Sequence, residues 1–108
     1  MRFTHLILFL STAISVQVAA QPIQAPTDYP PEALKNGWEG DVIADLTISP
    51  RGRVSACRIV QTSGHKDLDD ATCSLLIKRS IFKPATDSRG KPVEDHYRTP
   101  PIKWRVDH

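Results

Sequence analysis

Residues 41–61 read DVIADLTISPRGRVSACRIVQ, and their pattern decides what kind of fold this chain can adopt. From Asp41 to Ser49 the residues alternate: Val42, Ala44, Leu46 and Ile48 point one way, and Asp41, Ile43, Asp45 and Thr47 the other. A period of two is the signature of a half-buried strand. Ser49-Pro50-Arg51-Gly52-Arg53 supplies turn chemistry, so Val54 to Gln61 is expected to return as the second arm of a hairpin. The return arm is less regular. Val54 and Val60 fall on one parity and Cys57 and Ile59 on the other, which calls for a bulge or for burial on both faces.

Downstream, Thr62-Ser63-Gly64 ends the hairpin and a helix is expected from Asp67 to about Ser80. Asp67 is the expected N-cap, and Asp69 and Asp70 lie in the first turn, where negative charge is favoured. Leu68, Thr72, Leu75 and Leu76 share one stripe, while Lys78 and Arg79 occupy the last turn. Phe82 and Pro84 close the unit, and Asp87-Ser88-Arg89-Gly90 marks a further turn. The segment Asp95 to Val106 then reads as a third strand, with Ile102, Trp104 and Val106 inward and Lys103 and Arg105 outward. Pro100 and Pro101 cannot donate to a ladder, so this strand is expected to be an edge. Upstream, Pro31 to Gly37 predicts a short helix with proline in its first turn and Asn36-Gly37 as its stop.

The N-terminus sets the compartment. Residues 1–20, MRFTHLILFLSTAISVQVAA, combine Arg2, a short apolar run and the small residues Val18-Ala19-Ala20. This is the layout of a secretory signal peptide cleaved after Ala20. An uncleaved anchor is the rival reading, but a spanning helix needs about 20 consecutive, predominantly apolar residues. The expected organisation is therefore a signal at 1–20, a short proline-rich lead-in at 21–30 and one domain at 31–108. Loss of Arg2 lowers the formal charge from +2 to +1, with 13 Lys and Arg against 12 Asp and Glu evenly mixed. A nucleic-acid interface normally needs a clustered basic stripe, so that class is set aside.

Export also bears on Cys57 and Cys73. In an oxidising compartment two cysteines most simply form a disulfide. A redox site would want Cys-x-x-Cys and a structural zinc four close ligands. A helix lying across the hairpin would bring Cys73 over Cys57 at the separation a bridge requires. Two separate buried thiols are the alternative. No catalytic constellation is visible: Ser63-Gly64-His65 reads as a turn, and Asp67, Asp69 and Asp70 lack the glycine and distal glutamate of a calcium loop. An enzyme, a metal and a cofactor are not expected. Tyr29, Trp38 and Trp104 read as core or rim aromatics.

Several short pieces, in order, carry a resemblance: Tyr29-Pro30, Gly37-x-x-Gly40-x-Val42, Pro50-Arg51-Gly52-Arg53-Val54, Ser63-Gly64 with Leu68-Asp69, Phe82-x-Pro84-Ala85, and Pro101-Ile102-Lys103-Trp104-Arg105-Val106. Together they resemble the C-terminal domain of TonB-family energy transducers over roughly residues 27–107. The resemblance implies an α+β domain, with a three-stranded antiparallel sheet, a main helix at about 67–80 and a short N-terminal helix. It also implies a peptide-binding module that grips the TonB box of outer-membrane TonB-dependent receptors by adding a strand to its last strand, Ile102, Lys103, Trp104, Arg105 and Val106, in the service of iron-chelate or cobalamin-type uptake. Lys103 and Arg105 would be best placed to choose among peptides. Inner-membrane motor proteins are implied partners if the N-terminus stays anchored, with the domain facing the periplasm in either case. A full transducer also carries a long spacer; here about ten residues precede the domain, a reach of about 30 Å when fully extended. Peptide binding is therefore the leading expectation. A minimal anchored transducer and a module that dimerises through its edge strand stand beside it.

Overall fold

The computed structural model of the chain describes residues 28–106. The expected signal peptide and most of the expected lead-in lie outside the described residues. Helix α1, Pro31–Asn36, has proline in its first turn and stops at Gly37, whose φ of 69° lets its N–H reach back to the carbonyls of Ala33 and Leu34. Strand β1, Gly40–Ile48, alternates as expected, with Val42, Ala44, Leu46 and Ile48 all buried.

Strand β2, Val54–Gln61, pairs antiparallel with β1 and carries two register shifts. Ile48 lies opposite Val54, Leu46 opposite Cys57, Ala44 opposite Ile59 and Ile43 opposite Gln61, so Ser55 and Val60 are the extra residues. These two bulges resolve the mixed parity of the return arm: Val54, Cys57 and Ile59 all reach the core face. At the hairpin tip the Gly52 N–H donates to the Ser49 carbonyl at 2.8 Å, and Gly52 takes a φ of +84°. A Cβ on Gly52 would sit 2.1 Å from the Phe82 carbonyl oxygen, while the Phe82 N–H donates to the Gly52 carbonyl at 2.8 Å. The tip of the hairpin is thus the seat for the chain that leaves the main helix.

That helix, α2, spans Lys66–Arg79, one residue earlier at each end than expected. The expected cap is corrected too: His65 is the N-cap, and it offers no side-chain cap hydrogen bond. Asp69 instead reaches back from the first turn, accepting the Ser63 N–H at 2.9 Å and the hydroxyls of Ser63 and Thr62. Burial pushes the Asp69 carboxyl up, but these donors outweigh it and hold the group below the usual aspartate value. Leu68, Thr72 and Leu76 are buried toward the sheet, with Leu75 partly buried beside them. Cys57 and Cys73 form the disulfide that ties α2 to β2, with their Cα atoms 5.7 Å apart. At the far end, Arg79 makes a two-pronged pair with Asp28, at 2.6 and 3.1 Å.

A small hairpin follows, β3 (Ala85–Thr86) paired with β4 (Pro92–Val93) around the turn at Asp87 to Gly90. Two-residue strands show no period, so only the turn was legible. The continuous strand expected at 95–106 is corrected as well. It is two strands, β5 (Asp95–Arg98) and β6 (Ile102–Trp104), both antiparallel to β1 along the same side. Asp45 pairs with Arg98 and Val42 with Ile102, so Thr99, Pro100 and Pro101 face only Ile43 and Ala44. The extra residue is a bulge enforced by two prolines and secured by Thr99. Its N–H donates to the Ala44 carbonyl at 2.9 Å and its hydroxyl accepts the Ala44 N–H at 3.1 Å. The sheet is therefore three strands wide, with β2 on one side of β1 and the broken β5–β6 strand on the other.

The helices cover one face of this sheet. Under them lie two adjoining clusters, Ala44, Leu46, Ile48, Val54, Leu76 and Phe82 in one, and Tyr29, Ala33, Val42, Leu68 and Trp104 in the other. The opposite face carries the polar positions of β1 and their neighbours. There Arg98 binds both oxygens of Asp45, at 2.6 and 2.8 Å, and Arg58 adds a contact at 2.9 Å. The hydrogen bond from Arg98 holds the Asp45 carboxyl below its usual range.

Candidate functional site

Proline in a strand interior removes ladder donors and confines the strand to an edge. The described structure follows that rule. β6 is zipped to the first third of β1, with Ile102 opposite Val42, Lys103 opposite Asp41 and Trp104 opposite Gly40. Among the described residues no strand pairs with its other side.

From beneath, β6 is anchored by the side chain of Trp104. It is fully buried, and its indole N–H donates to the Thr72 hydroxyl of α2 at 2.8 Å. Thr72 in turn donates to the Leu68 carbonyl at 2.8 Å, so the buried polar pair is satisfied on both sides. The ring of Tyr29 meets Trp104 edge to face, centroids 5.1 Å apart, and the Tyr29 hydroxyl donates to the Trp38 carbonyl at 2.7 Å. Burial pushes the Tyr29 hydroxyl up, and the nearby Glu39 carboxylate pushes the same way. Trp38 stacks on His65, ring centroids 4.8 Å apart, at the margin of the same cluster. All three aromatics are thus packing elements, as their sequence positions suggested.

Of the five residues singled out on the last strand, Ile102, Lys103 and Trp104 form β6, while Arg105 and Val106 are corrected to positions just past its end; the five divide between two faces. Trp104 points under the helices, and Ile102 and Val106 are partly buried on that side. Lys103 is exposed on the other face, as is Arg105, which is anchored. Arg105 pairs with Asp41 at 2.8 Å, and its guanidinium also donates to the Trp104 carbonyl at 2.8 Å. Among the described residues no ion pair holds Lys103, although Asp41 lies directly across the ladder from it. The Val106 N–H donates to the Glu39 carboxylate at 2.9 Å, closing the inner side of the strand beyond Trp104.

Four residues that position this edge were not singled out for it in the sequence. Asp41 holds Arg105, Glu39 holds the end of the strand, Thr72 holds Trp104, and Thr99 holds the bulge. Thr72 was legible as part of the helix stripe; the other three become visible only once the register between β1 and β6 is known. Cys57 and Cys73, on the far side of the sheet, brace the edge indirectly by fixing α2. Among the described residues no group of three or more His, Cys, Asp or Glu is placed to hold a metal ion, and no helix is long and apolar enough to cross a membrane.

Comparison with known proteins gives this geometry a setting. The family model described as the Gram-negative bacterial TonB protein C-terminal matches residues 25–106, which includes all the helices and strands of the described residues. A curated relative, Protein tonB2 of Pseudomonas aeruginosa, is 32% identical over 80 residues, covering 74% of this chain and 28% of that protein. The chain therefore matches little more than a quarter of that relative's length.

Proposed function

The chain belongs to the family of Gram-negative bacterial TonB protein C-terminal domains, and from that premise we propose that it binds extended peptides along β6. The partners in this reading are the TonB boxes of outer-membrane TonB-dependent receptors, engaged in the periplasm during active uptake of iron chelates, cobalamin or similar nutrients. The observation that carries the reading is the edge itself. β6 is paired on one side to Gly40, Asp41 and Val42, has no strand on its other side among the described residues, and is fixed from beneath by the bond between Trp104 and Thr72. A rigid edge of this kind suits strand addition, in which backbone hydrogen bonds supply affinity and flanking side chains supply selectivity.

Calorimetric titration of the purified chain with N-terminal peptides from the host's own receptors tests this reading. Saturable binding of at least one peptide is expected, and silence from all of them would count against it. Coupling to inner-membrane motor proteins belongs to the same proposal and depends on the N-terminus. Mass spectrometry of the native protein decides between a signal cleaved after Ala20, leaving a periplasmic binding domain, and a retained anchor, making a minimal transducer. The open edge also supports a second reading, self-pairing of two copies, because unpaired strand edges recruit one another. Sedimentation at rising concentration separates a monomeric peptide binder from such a dimer.

A further inference from the structure

Resting on the strand-addition reading above, we infer that this edge selects peptides in which acidic and apolar residues alternate, with the acidic position set beside Lys103. The direction of the backbone groups comes first. Both backbone groups of Ala44 turn to the β5–β6 side, where its carbonyl accepts the Thr99 N–H and its N–H donates to the Thr99 hydroxyl. Backbone direction alternates along a strand, so Val42 and Gly40 turn the same way, and their partners Ile102 and Trp104 direct their N–H and C=O groups back toward β1. Lys103 and Arg105 direct theirs outward. Position 101 shares the outward direction and is proline, which has no N–H to give. Thr99, on the other side of the bulge, spends its N–H inward on Ala44. The outward groups of β6 are therefore those of Lys103, with Arg105 the first residue past the strand continuing the alternation, and an added strand loses its donor opposite Pro101.

Side-chain direction follows from the same alternation. A peptide residue paired with Lys103 or Arg105 sends its side chain to the face those two occupy, whichever way the peptide runs. On that face Arg105 is committed to Asp41 at 2.8 Å, and Glu39 is committed to the Val106 N–H. Among the described residues Lys103 has no ion-pair partner, so its charge is the one left to meet an incoming side chain. The next peptide residue faces the other way, beside the partly buried Ile102 and Val106, where an apolar side chain gains most. The edge thus reads two alternating chemistries, carboxylate by Lys103 and hydrocarbon by Ile102 and Val106.

The test uses the full chain and two blocked peptides, identical except that valine alternates with glutamate in one and with lysine in the other. An exposed ion pair corresponds to about a two- to fivefold change in affinity. The glutamate peptide is expected to bind tighter than the lysine peptide by at least that factor. Lys103→Glu, an exposed change, is expected to reverse the order, and Lys103→Gln to level it. Equal affinities for both peptides, or an order that survives Lys103→Glu, would overturn the inference. If receptor peptides bind while the designed pair shows no preference, the selectivity fails and strand addition stands. If neither class of peptide binds, both fail.

Discussion

The indole N–H of Trp104 donates to the hydroxyl of Thr72 at 2.8 Å in the interior, adding a directed bond to the packing of Trp104 against Leu68 that joins the last strand to the main helix. Neither group has access to water, so the bond cannot be exchanged for a solvent contact. Thr72→Val, of nearly the same shape, strands the indole donor. We expect a loss of about 1–3 kcal/mol in denaturant unfolding. Thr72→Ser keeps the hydroxyl and is expected to lose less.

The contact between Gly52 and Phe82 is backbone against backbone, so neither side can yield. A Cβ at Gly52 would stand 2.1 Å from the Phe82 carbonyl oxygen, on a residue whose φ is +84°. Gly52→Ala is expected to destabilise the chain by about 2–3 kcal/mol. A thermal melt indistinguishable from the parent would refute this.

The bridge between Cys57 and Cys73 encloses 15 residues. A loop of that size contributes about 3 kcal/mol by limiting the unfolded chain. Cys57→Ser with Cys73→Ser is expected to lower the unfolding midpoint accordingly. The parent should show no titratable thiol until it is unfolded and reduced. Two thiols in the oxidised native protein would contradict the bridge.

Asp69 gives the domain an acid limb. Its carboxyl is held below the usual value by the donors of Thr62 and Ser63, so the folded state binds its proton less tightly than the unfolded chain does. A depressed carboxyl stabilises the fold above the unfolded value of about 3.9 and loses that contribution as pH falls through the folded value. Asp69→Asn has no such proton to bind. The stability gap between parent and variant, read by denaturation across pH, should be widest near neutrality and should shrink below about pH 4.

Much of this arrangement was legible in the sequence, and the reason is visible in particular contacts. The fragments that resemble the family are far apart in the chain yet touch one another. Gly52 of the hairpin meets Phe82, Tyr29 meets Trp104, and a Cβ on Gly40 would come within 2.5 Å of the Ser63 carbonyl oxygen. A fixed order of such fragments is therefore a compressed contact map. The alternation of Val42, Ala44, Leu46 and Ile48 was readable because one face is packed and the other is not. The break between β5 and β6 was not readable. Pro100 and Pro101 announced an edge, but the one-residue slip depends on Thr99 meeting Ala44 across the ladder, a relation between positions 55 residues apart. The cap expected at Asp67 was displaced because the helix starts at Lys66, with the His65 carbonyl accepting the Leu68 and Asp69 N–H groups, while Asp69 ties the preceding loop through Ser63 and Thr62.

Backbone amide exchange, measured with and without a saturating receptor peptide, shows whether the outer edge of β6 receives the peptide. Slowed exchange is expected at Lys103 and Arg105, with the outer edge of β2 unchanged. Protection confined to β2 or α2, or no change at Lys103 and Arg105 while the peptide is bound, would contradict it.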